Sequence, residues 1–139
     1  MKKIVTAVLL LAALGGSVAV AGPLEDRQAL MKQMAGAAKS ANAIAKAPAY
    51  DAAAAKTQMQ ILVDGAAKLP ALFPKGSDTG KTKAAPAIWT DAAGFKASSD
   101  KLGKDAAAAG AAADSASFAV AFKTVTGDCA ACHKDYRTP

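Results

Sequence analysis

The residues best placed to do chemistry lie near the far end of the chain, Cys129-Ala130-Ala131-Cys132-His133, with six residues after them. Two cysteines three apart, and a histidine four from the first, share one face of a helix about one turn apart. This is the Cys-x-x-Cys-His pattern of covalent haem attachment. The thiols can form thioethers to the two vinyl groups of one haem, and the imidazole can reach the iron from below. His133 is the only histidine in the chain, so no other imidazole competes for that position. Nothing useful follows it, so a second iron ligand must come from upstream. Other readings of the motif ask for features that this sequence lacks. A thioredoxin-type redox pair needs a βαβ setting, and no strand pattern lies nearby. A structural zinc site needs four ligands, against two cysteines and one histidine here. A disulfide across three residues closes a very small loop and gains little chain entropy.

The elements that must position this motif read as helices. Alanine occurs 39 times and has the best intrinsic helix propensity. No segment shows sustained strand alternation. Breakers divide the chain into four helical stretches. The first covers residues 24–46 and stops at Ala47-Pro48. The second starts at Tyr50-Asp51, where Asp51 can cap it, and ends at Leu69-Pro70. After a loop over residues 73–80, the third starts at Pro86, a good first-turn residue, and runs to residues 109–110. The fourth follows Asp114-Ser115 and ends near Arg137.

Apolar stripes recur at helical spacing. They are Ala55, Met59, Leu62, Ala66 and Leu69 in the second stretch, and Ile88, Ala92, Phe95, Ser99, Leu102, Ala106, Ala109 and Ala113 in the third. In the fourth they are Phe118, Phe122, Val125, Cys129, Cys132/His133 and Tyr136. The fold class expected is all-α, an antiparallel four-helix bundle. The stripes hold many alanines and few large side chains, so a haem would form a structural part of the core and the apo chain is expected to fold poorly.

The chain opens Met1-Lys2-Lys3, continues with an apolar run over residues 4–14 and closes that segment with small residues up to Ala21. This is the pattern of a secretory signal peptide, and the run is too short to span a bilayer. Cleavage after Ala21 is expected to leave residues 22–139 as one domain without stable membrane insertion. The full chain carries 17 basic and 11 acidic residues, a net charge of +6, which falls to +4 once Lys2 and Lys3 are removed. The positive charges are spread along the chain, not clustered as nucleic-acid binding requires.

The whole of residues 22–139 resembles the cytochrome c′ family, the class II c-type cytochromes. The resemblance rests on Arg27-Gln28-Ala29-Leu30-Met31-Lys32 in the first helix and on Leu72-Phe73-Pro74-Lys75-Gly76-Ser77 in the loop after the second. Pro86-Ala87-Ile88-Trp89, with Phe95 beyond it, matches the start of the third helix, and Cys129 to Arg137 matches the haem-binding end. It implies one covalent haem c on Cys129 and Cys132, with His133 as proximal iron ligand. It also implies a haem environment that includes Arg27, Met34, Trp89, Phe95 and Arg137.

The family divides at the other face of the iron. Some members leave it open, blocked by an apolar residue, and bind NO or CO. Others place a methionine there. Met31 matches that position, Met34 serves if the register slips, and Met59 falls on the second core stripe. The resemblance therefore implies a periplasmic one-electron carrier with His133 and Met31 on the iron, serving periplasmic redox partner proteins. The alternative is a five-coordinate gas-binding protein. A peroxidase-like enzyme would need a distal acid-base group, and no second histidine exists to supply one. Family members often pair through their first two helices, and the alanine-rich faces here suit a homodimer or a monomer.

Overall fold

A computed structural model describes residues 22–139, and the segment expected to be a signal peptide lies outside them. The helices are α1 (Pro23–Ala45), α2 (Ala52–Lys68), a 3-10 turn (Leu69–Leu72), the single-turn α3 (Ala87–Thr90), α4 (Ala92–Gly110) and α5 (Ser115–Tyr136). The four long helices form an antiparallel bundle in which α2 packs on α1 and α4, and α4 on α5. The α1–α5 seam is the sparsest of the four. No strand occurs among the described residues, and no described helix is long and apolar enough to cross a membrane.

Each start has a local cause. Pro23 opens α1 with Glu25 and Asp26 in its first turn, where carboxylates suit the positive end of the helix dipole. Asp51 accepts from the Ala54 amide at 2.9 Å. Asp114 and Ser117 form a reciprocal capping box on α5.

The expected third helix is two. At Asp91 the backbone leaves the helical region (φ −126°, ψ 55°), and the Asp91 side chain then caps α4 through the Gly94 amide. A break of this kind rotates α3 against α4, so Ala92, placed on the core stripe by its spacing, is exposed. Ala113 is exposed too, because α4 ends at Gly110. The rest of that stripe is buried, as are all five positions of the α2 stripe.

The loop between α2 and α3 folds back over the bundle end. Gly76 and Gly80 take positive φ (83° and 86°), which side chains rarely tolerate. The loop's last residues lie against the chain terminus. Ala84 and Arg137 form an isolated antiparallel bridge, and the Thr138 amide donates to the Lys83 carbonyl at 2.8 Å.

Candidate functional site

The sparse α1–α5 seam opens into a cavity of about 630 Å³, within the range of cofactor pockets. α5 lines it with Cys132, His133 and Tyr136, and Arg137 joins them from the cap that follows the helix. α1 lines it from the facing side with Arg27, Gln28, Met31, Lys32 and Ala35. Leu69, Phe73, Ile88 and Phe95 close the floor, and residues 81–84 form one rim. Cys132 and His133 of the motif and Met31, about a hundred residues apart in sequence, thus line a single space, while Cys129 does not.

Both cysteines are free and half-buried. Cys129 lies one turn before Cys132 on α5, packed against the core. Burial pushes both thiols up, with Asp128 adding to the effect on Cys129, so both stay neutral near pH 7. His133 is pushed below its ordinary value, first by partial enclosure and then by the Arg137 charge. That favours the neutral imidazole, the form with a free lone pair.

Arg27 is the only buried cation among the described residues, at 3 % exposure. Its guanidinium lies 4.8 Å from the Phe73 ring centroid and donates to the Ser77 carbonyl at 2.8 Å, and to Ser77 Oγ and Thr82 Oγ1 at 3.2 Å each. Every one of these partners is neutral. Burial lowers its pKa, and Glu25 partly opposes that. A buried charge without a counter-ion is costly, and an arginine fork facing a cavity suits a carboxylate.

Two residues expected in the haem environment, Met34 and Trp89, do not line the cavity. Met34 is buried against α2, so close to Gly65 that a Cβ there would sit 2.7 Å from its sulfur. Three residues from Met31, it lies off the cavity-lining row and faces the α1–α2 contact instead. Trp89 stands behind the wall. Its indole N–H donates to the Pro74 carbonyl at 3.0 Å, and its ring meets Phe73 edge-on at 6.0 Å, so it braces Phe73. Phe73 in turn meets Phe95 at 5.0 Å, and Phe95 meets Tyr136 at 5.2 Å, both edge-on. The spacing of the helices did not reveal Phe73, Thr82, Lys81 or Lys83 as lining residues. The loop brings them in, and its sequence signals were the pair Gly76 and Gly80 and the Leu72–Ser77 segment that carries the family resemblance.

A sequence model described as Cytochrome C′ matches residues 22–137. This chain belongs to the cytochrome c′ family. It is 42 % identical to cytochrome c-556 of Agrobacterium fabrum over 139 residues, spanning 97 % of this chain and 94 % of that one. It is 40 % identical to cytochrome c′ of Rhodopseudomonas palustris over 126 residues, spanning 88 % and 86 %. The solved cytochrome c′ structure from Rhodopseudomonas palustris superposes with a TM-score of 0.79 at 38 % identity, covering 86 % of this chain and 98 % of that one. As a class II c-type cytochrome, the protein is a one-electron carrier built around a single covalent haem c. The cavity fits that group. It is large and mostly apolar, it presents a cysteine and the one histidine, and it holds a buried arginine that lacks an anion.

Proposed function

We propose that this family member is a periplasmic electron carrier in which His133 and Met31 would both hold the haem iron and Cys129 and Cys132 would anchor the haem covalently. The observation that carries the reading is the placement of Met31. It lines the same cavity as His133 from the opposite helix, while Met34 is turned onto Gly65. A thioether opposite an imidazole raises the reduction potential, which suits a carrier. The bound haem supplies a ferric/ferrous couple. The chain's own residues then hold the iron, exclude water and set the local charge. Arg27 offers its fork to one propionate, and Arg137, one turn beyond His133, stands beside the proximal side. No residue need make or break a bond during turnover, so the reading requires no catalytic group.

The test is the visible spectrum of the purified holoprotein, oxidised and reduced, with and without CO. Sharp low-spin bands, a weak ferric sulfur-to-iron band and indifference to CO support the reading. Broad high-spin bands that move with CO replace it with a five-coordinate gas-binding protein. Gel filtration at several concentrations separates a monomer from a homodimer.

A further inference from the structure

Lys101 on α4 ties the α4–α5 seam. Its Nζ donates to Asp105 Oδ2 at 2.7 Å within its own helix, and to Asp128 Oδ1 on α5. One ammonium thus serves two carboxylates, and no other cation among the described residues pairs with either of them. The trio carries one negative charge in excess. The Asp128 side chain is only 10 % exposed, and its Oδ2 is buried without a hydrogen-bond partner.

Stability does not account for this arrangement. Lys101 and Asp105, four residues apart on one helix, form a complete pair without α5. A second, nearly buried carboxylate costs desolvation, and its unpartnered oxygen recovers none of that cost. What distinguishes the position is its neighbour. Asp128 directly precedes Cys129 and does not line the cavity. Its charge is felt at the sulfur, because the Cys129 thiol is pushed up first by burial and then by Asp128. A charge held in a seam of low dielectric is little screened by water or salt.

We propose that Asp128 is a potential-setting residue: its buried carboxylate, held by Lys101, favours the ferric state of a haem anchored at Cys129 and so lowers the reduction potential. This rests on the reading that Cys129 carries the haem. The burial and charge around a haem are among the means by which a protein sets its potential, and a negative charge stabilises the more positive, oxidised iron. Asp105 contributes less, because its side chain is 24 % exposed and it is not next to an anchor.

The experiment uses the holoprotein. Its pyridine haemochrome spectrum, which tells two thioether links from one, is recorded first, so that a failed anchor assignment is seen separately. Redox titrations at low and high salt then compare Asp128→Asn, Asp128→Glu and Asp100→Asn. Asp100 loses the same charge on α4 from a side chain that is 61 % exposed. Asp128→Asn should shift the equilibrium toward the ferrous state by up to about tenfold, a rise of about 59 mV for one electron, and keep that shift at high salt. Asp128→Glu should stay near wild type, and Asp100→Asn should move far less and lose its shift in salt. Asp105→Asn frees Lys101 for Asp128 alone and should raise the potential by a smaller step, which tests the trio should Asp128→Asn fold poorly. An unmoved potential in Asp128→Asn and Asp105→Asn, or equal shifts in Asp128→Asn and Asp128→Glu, overturns the proposal.

Discussion

Tyr136 Oη donates to Asp91 Oδ2 at 2.9 Å, while Oδ1 of the same carboxylate accepts from the Gly94 amide at 3.1 Å. One side chain thus caps α4 and ties down the last residue of α5, three positions beyond His133. A Cβ on Gly94 would collide with both Asp91 Oδ2 and the Tyr136 hydroxyl, so the glycine is what lets the two meet. Replacing Asp91 by Ala should cost about 1 kcal/mol through the lost cap alone, with a further loss from the orphaned phenol. Chemical denaturation of Asp91→Ala, Asp91→Asn and Gly94→Ala checks this, and a neutral Asp91→Ala would refute it.

The same pair gives the alkaline limit of the fold. Burial, then the hydrogen bond to Asp91, pushes the Tyr136 phenol above its ordinary value of 10.0. Tyr50 is raised too, first by burial and then by Asp114. A raised phenol keeps its proton in the folded state where the unfolded chain gives it up. Its contribution is therefore whole below about pH 10 and is lost as pH climbs through the folded values. Unfolding free energy should hold level through neutral pH and fall above about pH 10. The fall should be shallower in Tyr50→Phe/Tyr136→Phe. Identical slopes in wild type and double variant would sink the assignment.

Gly65 sets how closely α1 approaches α2. An added Cβ would meet Met34 Sδ at 2.7 Å and Cγ at 2.8 Å. Met34 is 5 % exposed and has little room to retreat. Overpacking of this kind costs about 1–3 kcal/mol. Gly65→Ala should lower Tm measurably, and Gly65→Ala/Met34→Ala should recover part of the loss. No recovery in the double variant would mean that the crowding lies elsewhere.

Much of this architecture could be read from spacing. The α2 stripe from Ala55 to Leu69 is buried as its period implied, and so are Phe118, Phe122, Val125 and Tyr136 on α5. The break at Asp91 could not be read that way. Ile88, Ala92 and Phe95 continue a helical period across it, and only the aspartate's competing side-chain bond to Gly94 reveals the stop. The cavity was half legible. Arg27, Met31, Phe95, Cys132 and His133 sit on helices, where period predicts direction, and Arg137 follows α5 directly as its cap. Phe73 and residues 81–84 arrive through a loop whose path depends on the bonds from Arg27 to Ser77 and Thr82, about fifty residues away. No local pattern carries such contacts. Met34 was misplaced because one turn of α1 offers two sulfurs, and the choice between them is made by Gly65 on another helix.

Arg27 connects that loop to the site. Arg27→Gln removes the charge over Phe73 and leaves the Ser77 carbonyl and Thr82 hydroxyl short of a donor, which should cost about 1–3 kcal/mol. If the haem fills the cavity that Arg27 lines, losing this buried cation favours the more positive, oxidised state, so the reduction potential should fall. Arg27→Lys should keep more of the potential than of the stability, because a point charge replaces the fork but not its three bonds. Redox titration of both variants beside their denaturation curves separates the two effects. An unchanged potential in Arg27→Gln would remove Arg27 from the haem environment.

Removing the haem should loosen one end of the bundle more than the other. The cavity lies between Phe95, Tyr136 and α1, whereas Phe118, Phe122 and Tyr50 pack together near the α4–α5 turn, with Tyr50 donating to the Ala112 carbonyl. The apo chain is expected to keep helical far-ultraviolet circular dichroism while its near-ultraviolet signal collapses. Amide exchange should rise first in residues 73–84 and at the start of α1. A natively sharp near-ultraviolet spectrum without haem would show that the core does not need the group.

The two methionines of α1 give the sharpest contrast. Met31 lines the cavity and Met34 does not, yet they differ by only three positions on one helix. If Met31 Sδ holds the iron, Met31→Leu should convert the low-spin spectrum to a high-spin one and open the site to CO. It should also lower the potential, since the thioether that raised it is gone. Met34→Leu nearly conserves volume and should leave spectrum, CO response and potential unchanged, at a stability cost below about 1.5 kcal/mol. The reverse pattern would place the helix one turn out of register. A high-spin wild type that Met31→Leu leaves unaltered would make Met31 a wall residue, and the iron open to small gases.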